Sequence, residues 1–360
     1  MRLVAGWARE AGLEPGLDSH GNLWALPAGW TGELVTAGSH VDTVPDGGRY
    51  DGALGTVLGL ELALSPVPAG RRAGLLICAA EEAPRFGAGT IGSRLLVGTL
   101  SESGLDRLRD RHGISAADAR GGYLEALAGL PRIEPPIHRL RAHVEIHVAQ
   151  RRALRELGVV TRVASPRRFE IELTGESGHA GEVAMTERHD ALAAAAELVL
   201  AVEAAAAAEP PETVATVGTL AVEPGAVSVI PGRARLGLDI RGISSESLRR
   251  LDASIRAAVA EIARRRGVAA DLRLVRDGEP VSLDASLAAC ALRSATESGI
   301  PATETWSGAG HDAQHLAALT ATLLLFVPLH GGESHTPEEG AEMAEIIQAV
   351  DVAAAVLGAG

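Results

Sequence analysis

Gly38-Ser-His-Val-Asp-Thr-Val-Pro-Asp-Gly-Gly-Arg-Tyr-Asp-Gly52 is the stretch on which the reading of this chain turns. The apolar run Leu34-Val-Thr-Ala37 leads into it and reads as a buried strand ending near His40. Pro45, Gly47 and Gly48 then break the chain. Asp51-Gly52 opens a second apolar run, Leu54 to Leu64, which reads as a helix with Asp51 near its first turn. A His at a strand end and an Asp at a helix start can meet at one point. Imidazole with carboxylate is the ligand set of zinc and its borderline neighbours. Asp42, two residues past His40, suits a supporting role, taking the imidazole's other N–H and fixing its tautomer. On their own these residues also fit a polar surface loop; their partners further along the chain decide between the two.

Composition narrows the classes. The chain has 360 residues, enough for two domains, and 46% of them are apolar. Aromatics are 2%, so a core must be built from Ala, Leu and Val. The net charge of -13 argues against nucleic acid and against an anionic membrane surface, both of which need clustered positive charge. No run approaches the roughly 18 apolar residues of a membrane span. Met1 to Glu10 reads as an amphipathic helix rather than a signal peptide. All 33 basic residues are Arg, which excludes Schiff-base lysine chemistry and P-loop ATPases. Cys78 and Cys290 lie far apart in apolar runs and read as free thiols of a reducing cytoplasm.

Up to about residue 160, apolar strands alternate with helices, the pattern of a layered α/β domain. Strands are expected at Asn22–Leu26, Glu33–Ala37 and Gly74–Ala80, and a charged helical region over 102–136. Ligands of such sheets gather at the carboxyl ends of strands, where both His40 and Glu81-Glu82 fall. From about 162 to 278 the order becomes βαββαβ, the split arrangement that can fold as an inserted domain, with helices expected at Arg188–Ala208 and Ser245–Arg266. Beyond 280 the α/β pattern resumes. A helix is expected at Ser282–Ser298, a buried strand at Thr322–Val327 and a last helix from Glu338. The expected division is 1–161 with 279–360, and 162–278.

Three further clusters carry chemistry. In Ala79-Ala-Glu81-Glu82-Ala-Pro, two carboxylates close an apolar strand; one can bind metal while its neighbour acts as general base on a metal-bound water. His143-Val-Glu-Ile-His147 alternates, placing two His and a Glu on one strand face. His335 sits in a Gly-Gly-Glu-Ser-His-Thr-Pro turn after a buried strand. His40, Asp51, Glu82, His147 and His335 all fall at element ends, and two His-containing clusters sharing one Asp would make a two-metal site.

With these pieces in order, the chain resembles the family of N-carbamoyl-L-amino acid hydrolases, allantoate amidohydrolases and β-ureidopropionases, dinuclear members of the aminoacylase/carboxypeptidase clan. Gly178-His-Ala-Gly, Leu238-Asp-Ile-Arg241, Ser307-Gly-Ala-Gly-His-Asp-Ala and Gly332-Glu-Ser-His-Thr-Pro complete the match. The resemblance implies an α/β metallohydrolase domain with an inserted lid and dimerisation domain. It implies two divalent ions, Zn2+ or Mn2+ with Co2+ or Ni2+ as further options. His40 and His147 would bind one, Glu82 and His335 the other, and Asp51 would bridge. Glu81 would be the general base acting on a metal-bridged hydroxide, with Asp42 supporting His40. His179 would stabilise the oxyanion in the partner subunit of a homodimer. Gln150 and Arg241 would contact substrate, an Arg fork suiting a substrate carboxylate.

The departures fall beside these residues. The family's usual Ile-Glu-Gln-Gly after the ligand His is Val148-Ala149-Gln150-Arg151 here, and its substrate-contacting Asn is Ser228. Glu333 stands where an apolar residue is usual, and the chain starts later than family members commonly do. His311-Asp312 is expected to shape its turn, while His20, His112, His138, His143, His189, His315 and His330 carry no assigned role. The expected activity is hydrolysis of a carbamoyl C–N bond in an N-carbamoyl amino acid or related ureido acid. An aminoacylase- or dipeptidase-like hydrolase and a catalytically silent ureido-binding dimer are the alternatives.

Overall fold

The computed structural model describes residues 1–151 and 153–359. The chain divides into two compact units, Met1–Val163 with Ser282–Gly360, and Ala164–Val281. The first is mixed α/β. Its strands are β1 (Leu13–Leu17), β2 (Leu23–Pro27), β3 (Glu33–Ala37), β4 (Arg71–Ile77), β5 (Leu140–Val148), β6 (Leu157–Val163), β7 (Ala302–Ser307) and β8 (Ala321–Val327). They lie in the order β1-β2-β4-β3-β5-β8-β6, with β7 also on β6 and the two-residue strand Val281–Ser282 completing the sheet beyond β6. β3 is parallel to β4 and to β5, and β8 is parallel to β5. The carboxyl ends of these four strands therefore share one edge.

Both faces of the sheet are covered, which is why its inner strands are near-continuous apolar runs. Val35, Val144, Ile146 and Leu325 pack with Leu62, Ala291 and Val352 of the helices Ala53–Ala63, Ala285–Glu297 and Met343–Ala359. Alternate residues, among them Leu34, Leu76 and Leu140, join a separate cluster that includes Leu316. The helix Ala53–Ala63 rides directly on strand backbone. A Cβ at Gly55 would lie 2.0 Å from the Ile146 carbonyl oxygen, and one at Gly59 would lie 2.6 Å from Gly38 Cα. Small residues here set the height of the helix, and with it the position of the turn that precedes it.

The second unit has the expected βαββαβ order. Its sheet runs Ala269–Arg276, Arg167–Thr174, Arg233–Arg241, Val214–Glu223, every neighbouring pair antiparallel. The helices Ala191–Ala207 and Ser245–Arg266 bury Ala194, Leu198, Leu251 and Ile255 against Ile171, Leu236 and Leu238. Ser245–Arg266 carries its own boundaries. Ser244 accepts the Ser247 N–H, Arg264, Arg265 and Arg266 close the last turn, and Gly267 takes the left-handed φ of 66° beyond it.

Several element ends differ from expectation, each for a visible reason. Asp190 and Asp284 accept N–H groups of the following turn, so their helices start at Ala191 and Ala285. Asp110 accepts the N–H groups of His112 and Ile114, which stops helix Glu102–Arg107 from continuing. The last helix starts at Met343, not Glu338, because Gly340 is held by the His330 N–H at 2.7 Å and Glu339 is committed elsewhere. β1 was not expected because it contains Pro15 and Gly16; as an edge strand it tolerates both. Where the first unit is interrupted, the Leu283 N–H donates to the Thr161 carbonyl at 2.9 Å. No helix among the described residues is long and apolar enough to cross a membrane.

Candidate metal centre

His40 follows β3 and bridges in register to Cys78 after β4. Glu81 and Glu82 come just after that, His147 ends β5, and His335 lies in the loop after β8. Asp51 arrives from the other direction, next to Gly52, the N-cap of helix Ala53–Ala63. Gly52 has φ 68°, and a Cβ there would sit 2.4 Å from the His40 ring. The close approach of this turn to the imidazole thus depends on glycine.

Asp51, only 4% exposed, is the hub. Its Oδ1 is 3.2 Å from His147 Nε2 and 3.5 Å from His40 Nε2, and those two nitrogens are 3.4 Å apart. Its Oδ2 is 3.1 Å from His335 Nε2, which is 3.7 Å from Glu82 Oε1. Asp51 Oδ1 and Glu82 Oε1 are buried and accept no hydrogen bond among the described residues. Ligands about 2.0–2.1 Å from a tetrahedral ion stand about 3.3–3.4 Å from one another. The triangle of His40, His147 and Asp51 has that spacing, and Asp51, Glu82 and His335 form a second, more open group. The ring orientations agree. His40 Nδ1 faces the Asp42 carbonyl at 2.9 Å and His147 Nδ1 the Val148 carbonyl at 3.1 Å. A carbonyl only accepts, so each Nδ1 carries a proton and each Nε2 can offer its lone pair to a cation. The residues fit two divalent ions sharing Asp51.

Asp42 supports His40 by a different atom from the one expected. The backbone carbonyl fixes the ring, while the carboxylate stands 3.6 Å from Nδ1. That carboxylate instead accepts the N–H groups of Glu81, at 3.2 Å, and Glu82, at 2.9 Å. It locks the turn after Ala80, whose φ of 52° is left-handed. Gln150, expected to meet substrate, donates to Asp51 Oδ2 at 3.1 Å and lies 3.2 Å from His335 Nε2. Arg151 stacks on Trp306 with its guanidinium carbon 4.2 Å from the ring centroid.

The metal-free cluster is strongly polarised. Burial opposes a charge on His147, but Asp51 outweighs it and raises the ring to about 9. His40 is raised well above its ordinary value, Asp42 and Asp51 overcoming its burial. Asp51 is lowered, its own burial overcome by His147, His335 and His40. Burial holds Glu81 well above the usual carboxylate range against the pull of His40. A histidine raised on folding stabilises the fold fully below its unfolded value and ceases to do so as pH rises through its folded value. Metal-free protein should therefore lose the His147 contribution to stability between about pH 6.5 and about 9. Ion uptake at pH 7 should release protons, and affinity should rise over that window. Calorimetry in two buffers of different ionisation enthalpy counts those protons; a count of zero would refute the assignment.

Other buried polar residues carry the site from behind; of these Glu339, Ser334 and Ser93 were not picked out from sequence. Glu145 accepts Ser39 Oγ at 3.0 Å and the Ala313 N–H at 2.7 Å, so it is committed to structure although it lies near His147 and His311. His311 sets its ring edge against His147, with centroids 4.5 Å apart, and bonds Ser307 Oγ at 2.8 Å. Asp312 accepts Ser93 Oγ at 2.5 Å, so His311 and Asp312 shape the turn through serines rather than by pairing with each other. Glu339 and Ser334 join Asp51 from the His335 loop. His143 bonds Thr36 Oγ1, and burial lowers it to about 3, in keeping with a core role.

On the second unit, Val229 pairs with His179, and the Ser228 carbonyl accepts the Ala180 N–H at 2.9 Å. Ser228 and His179 are therefore neighbours. His179 Nδ1 accepts the Gly181 N–H at 3.0 Å, so the neutral ring carries its proton on Nε2. Arg241 donates from Nε to Asp239 Oδ1 at 2.9 Å, an ion pair that orients the guanidinium.

The sequence profile of Peptidase family M20/M25/M40 matches residues 36–359. The chain belongs to this family. It is a hydrolase of the amidohydrolase kind. Among its M20 relatives, an allantoate amidohydrolase of Bacillus subtilis is 35% identical over 91% of this chain and 82% of its own. An N-carbamoyl-L-amino-acid amidohydrolase of Paenarthrobacter aurescens is 33% identical over 98% of this chain and 88% of its own. The crystal structure of an amidase of the hydantoinase/carbamoylase family from Burkholderia multivorans superposes with a TM-score of 0.85 at 31% identity, covering 99% of this chain and 89% of that one.

Proposed function

We propose that this M20 family member hydrolyses the carbamoyl C–N bond of an N-carbamoyl-L-amino acid or related ureido acid, using two divalent ions, zinc or manganese, with cobalt or nickel also suited to the donors. The observation that carries the reading is the convergence of His40, His147, Glu82 and His335 on the two oxygens of one buried carboxylate, Asp51, with Glu81 alongside. When bound, the ions supply Lewis-acid polarisation of the carbonyl and make a water acidic at neutral pH.

Glu81 takes the proton from the attacking water and delivers it to the leaving nitrogen. Its backbone is fixed for this, its N–H on Asp42 and its carbonyl accepting the Thr90 N–H at 2.7 Å. Water and the ureido acid then give ammonia and a carbamic acid, which breaks down to amine and carbon dioxide. His179, with its proton on Nε2, donates to the oxyanion, a contribution of roughly 3 kcal/mol in comparable sites. Arg241 receives the substrate carboxylate, and Gln150 and Ser228 contact substrate. The second unit is lid and dimerisation surface, and His179 serves the partner subunit. The open edge strand Val214–Glu223, with Val214 and Leu220 exposed, favours pairing with a second copy. The free thiols Cys78 and Cys290 suit the cytoplasm.

The test is a substrate panel on protein reconstituted with zinc and with manganese. It contains N-carbamoyl-L-amino acids, N-carbamoyl-β-alanine, allantoate and an N-acetyl amino acid. Ammonia from a ureido compound supports the proposal. Free amine from the N-acetyl substrate with no ammonia from any other would move the reading to an aminoacylase.

A further inference from the structure

The two candidate ion groups are held unequally. His40 and His147 sit at the ends of buried strands. His335 is 44% exposed, lies in a loop and has φ 59°. What ties this loop to Asp51 is Glu339, itself only 2% exposed. Its Oε2 accepts the N–H of Tyr50 at 2.8 Å and of Asp51 at 3.1 Å. Its Oε1 lies 3.1 Å from Ser334 Oγ, and its own N–H donates to the Thr336 carbonyl at 3.2 Å, closing the turn that follows His335. The fit is tight, since a Cβ on Gly48 would lie 2.1 Å from Oε2. Ser334 Oγ also stands 3.2 Å from Asp51 Oδ2, which already faces Gln150 and His335. A hydroxyl has one proton. Glu339 gives that proton a second acceptor when Asp51 Oδ2 turns its lone pairs to a cation.

We infer that Glu339 is a positioning residue that fixes the Asp51 backbone and the His335 loop against each other and so sets the affinity of the second ion. The inference rests on the two-ion reading above. It makes the carboxylate responsible for one ion more than for the other, because the first ion's histidines follow or end the strands β3 and β5, whereas the hydrogen bonds of Glu339 go to Tyr50, Asp51, Ser334 and Thr336. Outer partners of metal ligands commonly change affinity by 10- to 100-fold.

The experiment is cobalt titration of metal-free parent, Glu339→Ala and Glu339→Gln proteins. Calorimetry follows binding, visible absorption reports the geometry of each ion, and thermal unfolding of the metal-free proteins runs in parallel. The parent should bind two ions in separable steps. Glu339→Ala should keep the first step and weaken the second by roughly 10- to 100-fold. Glu339→Gln should recover much of the loss, because its carbonyl oxygen can still accept from Tyr50 and Asp51. Two ions bound by Glu339→Ala as tightly as by the parent overturns the inference. So does equal weakening of both steps with an unfolding temperature that falls in both variants, which marks a merely structural residue. A parent that takes up only one ion defeats the two-ion reading itself, and this inference with it.

Discussion

Glu81→Gln protein should retain its metal ions and release ammonia roughly 10²- to 10⁴-fold more slowly than the parent. The substitution removes little besides the ability to hold and pass a proton. Glu81 is 9% exposed, its N–H is tied to the Asp42 carboxylate, and its carbonyl accepts from Thr90, so an amide of the same shape inherits the same place. Asp42 keeps Glu82 in position through a separate hydrogen bond at 2.9 Å, so ion content should not change. The check is metal analysis of the purified variant beside an ammonia assay on the best ureido substrate. A variant holding more than about a tenth of the parental rate would fall outside the range for a lost general base and would send the proton to another group.

Asp51→Asn should do more. The amide offers one oxygen where the carboxylate offers two, and it carries no charge to offset a cation. Affinity for both ions should fall beyond the roughly 10- to 100-fold cost of losing an outer partner, with activity falling below detection. A second signature appears without metal. In the parent, Asp51 is what raises His147 to about 9 against its burial. With Asn in its place burial prevails, and His147 should titrate below its ordinary value near 6.5. Stability of the metal-free variant should then lack the loss that the parent shows as pH rises toward 9. NMR titration of the His147 ring together with denaturant unfolding at several pH values reads both effects. Retention of both ions, or a His147 value still near 9, would contradict the hub assignment.

The residues at the sheet edge were legible because apolar runs stop where the chain reaches it. His40, Glu82, His147 and His335 each follow such a run, Asp51 precedes one, and the structure brings all five side chains together. The βαββαβ order could be read for the same reason. Less legible was which atom of a residue does which job. Asp42 stands beside His40 in sequence, yet its carbonyl and not its carboxylate meets the ring. Glu339 fell in the first turn of the helix expected from Glu338; only the fold brings it 288 positions back to the Asp51 N–H. Glu145 was read as sharing a strand face with His147, but not as the acceptor of Ser39 Oγ and the Ala313 N–H. His311 and Asp312 were noted as a turn. Their partners Ser307 and Ser93 come from a neighbouring position in one case and from another helix in the other. β1 was hidden by Pro15 and Gly16, because edge position, which sequence does not display, decides whether a strand can carry them.

The hydrogen bond from Leu283 to Thr161 has a bearing on how this enzyme can change. The chain leaves the first unit and re-enters it at adjacent backbone positions. More than a hundred residues, 164–281, are thus spliced into a gap that a tight turn could close. The host sheet takes from this stretch only Val281, at its very end, in the two-residue strand Val281–Ser282. Ladders β3 to β5 and β5 to β8 place His40 and His147 whatever length or sequence the cassette has. Selection can therefore lengthen, reshape or exchange the part that carries His179, Ser228 and Arg241 while the candidate ion-binding edge stays as it is. Under the proposed roles, the Arg241 and Ser228 contacts and the ion ligands are then separately heritable within one chain.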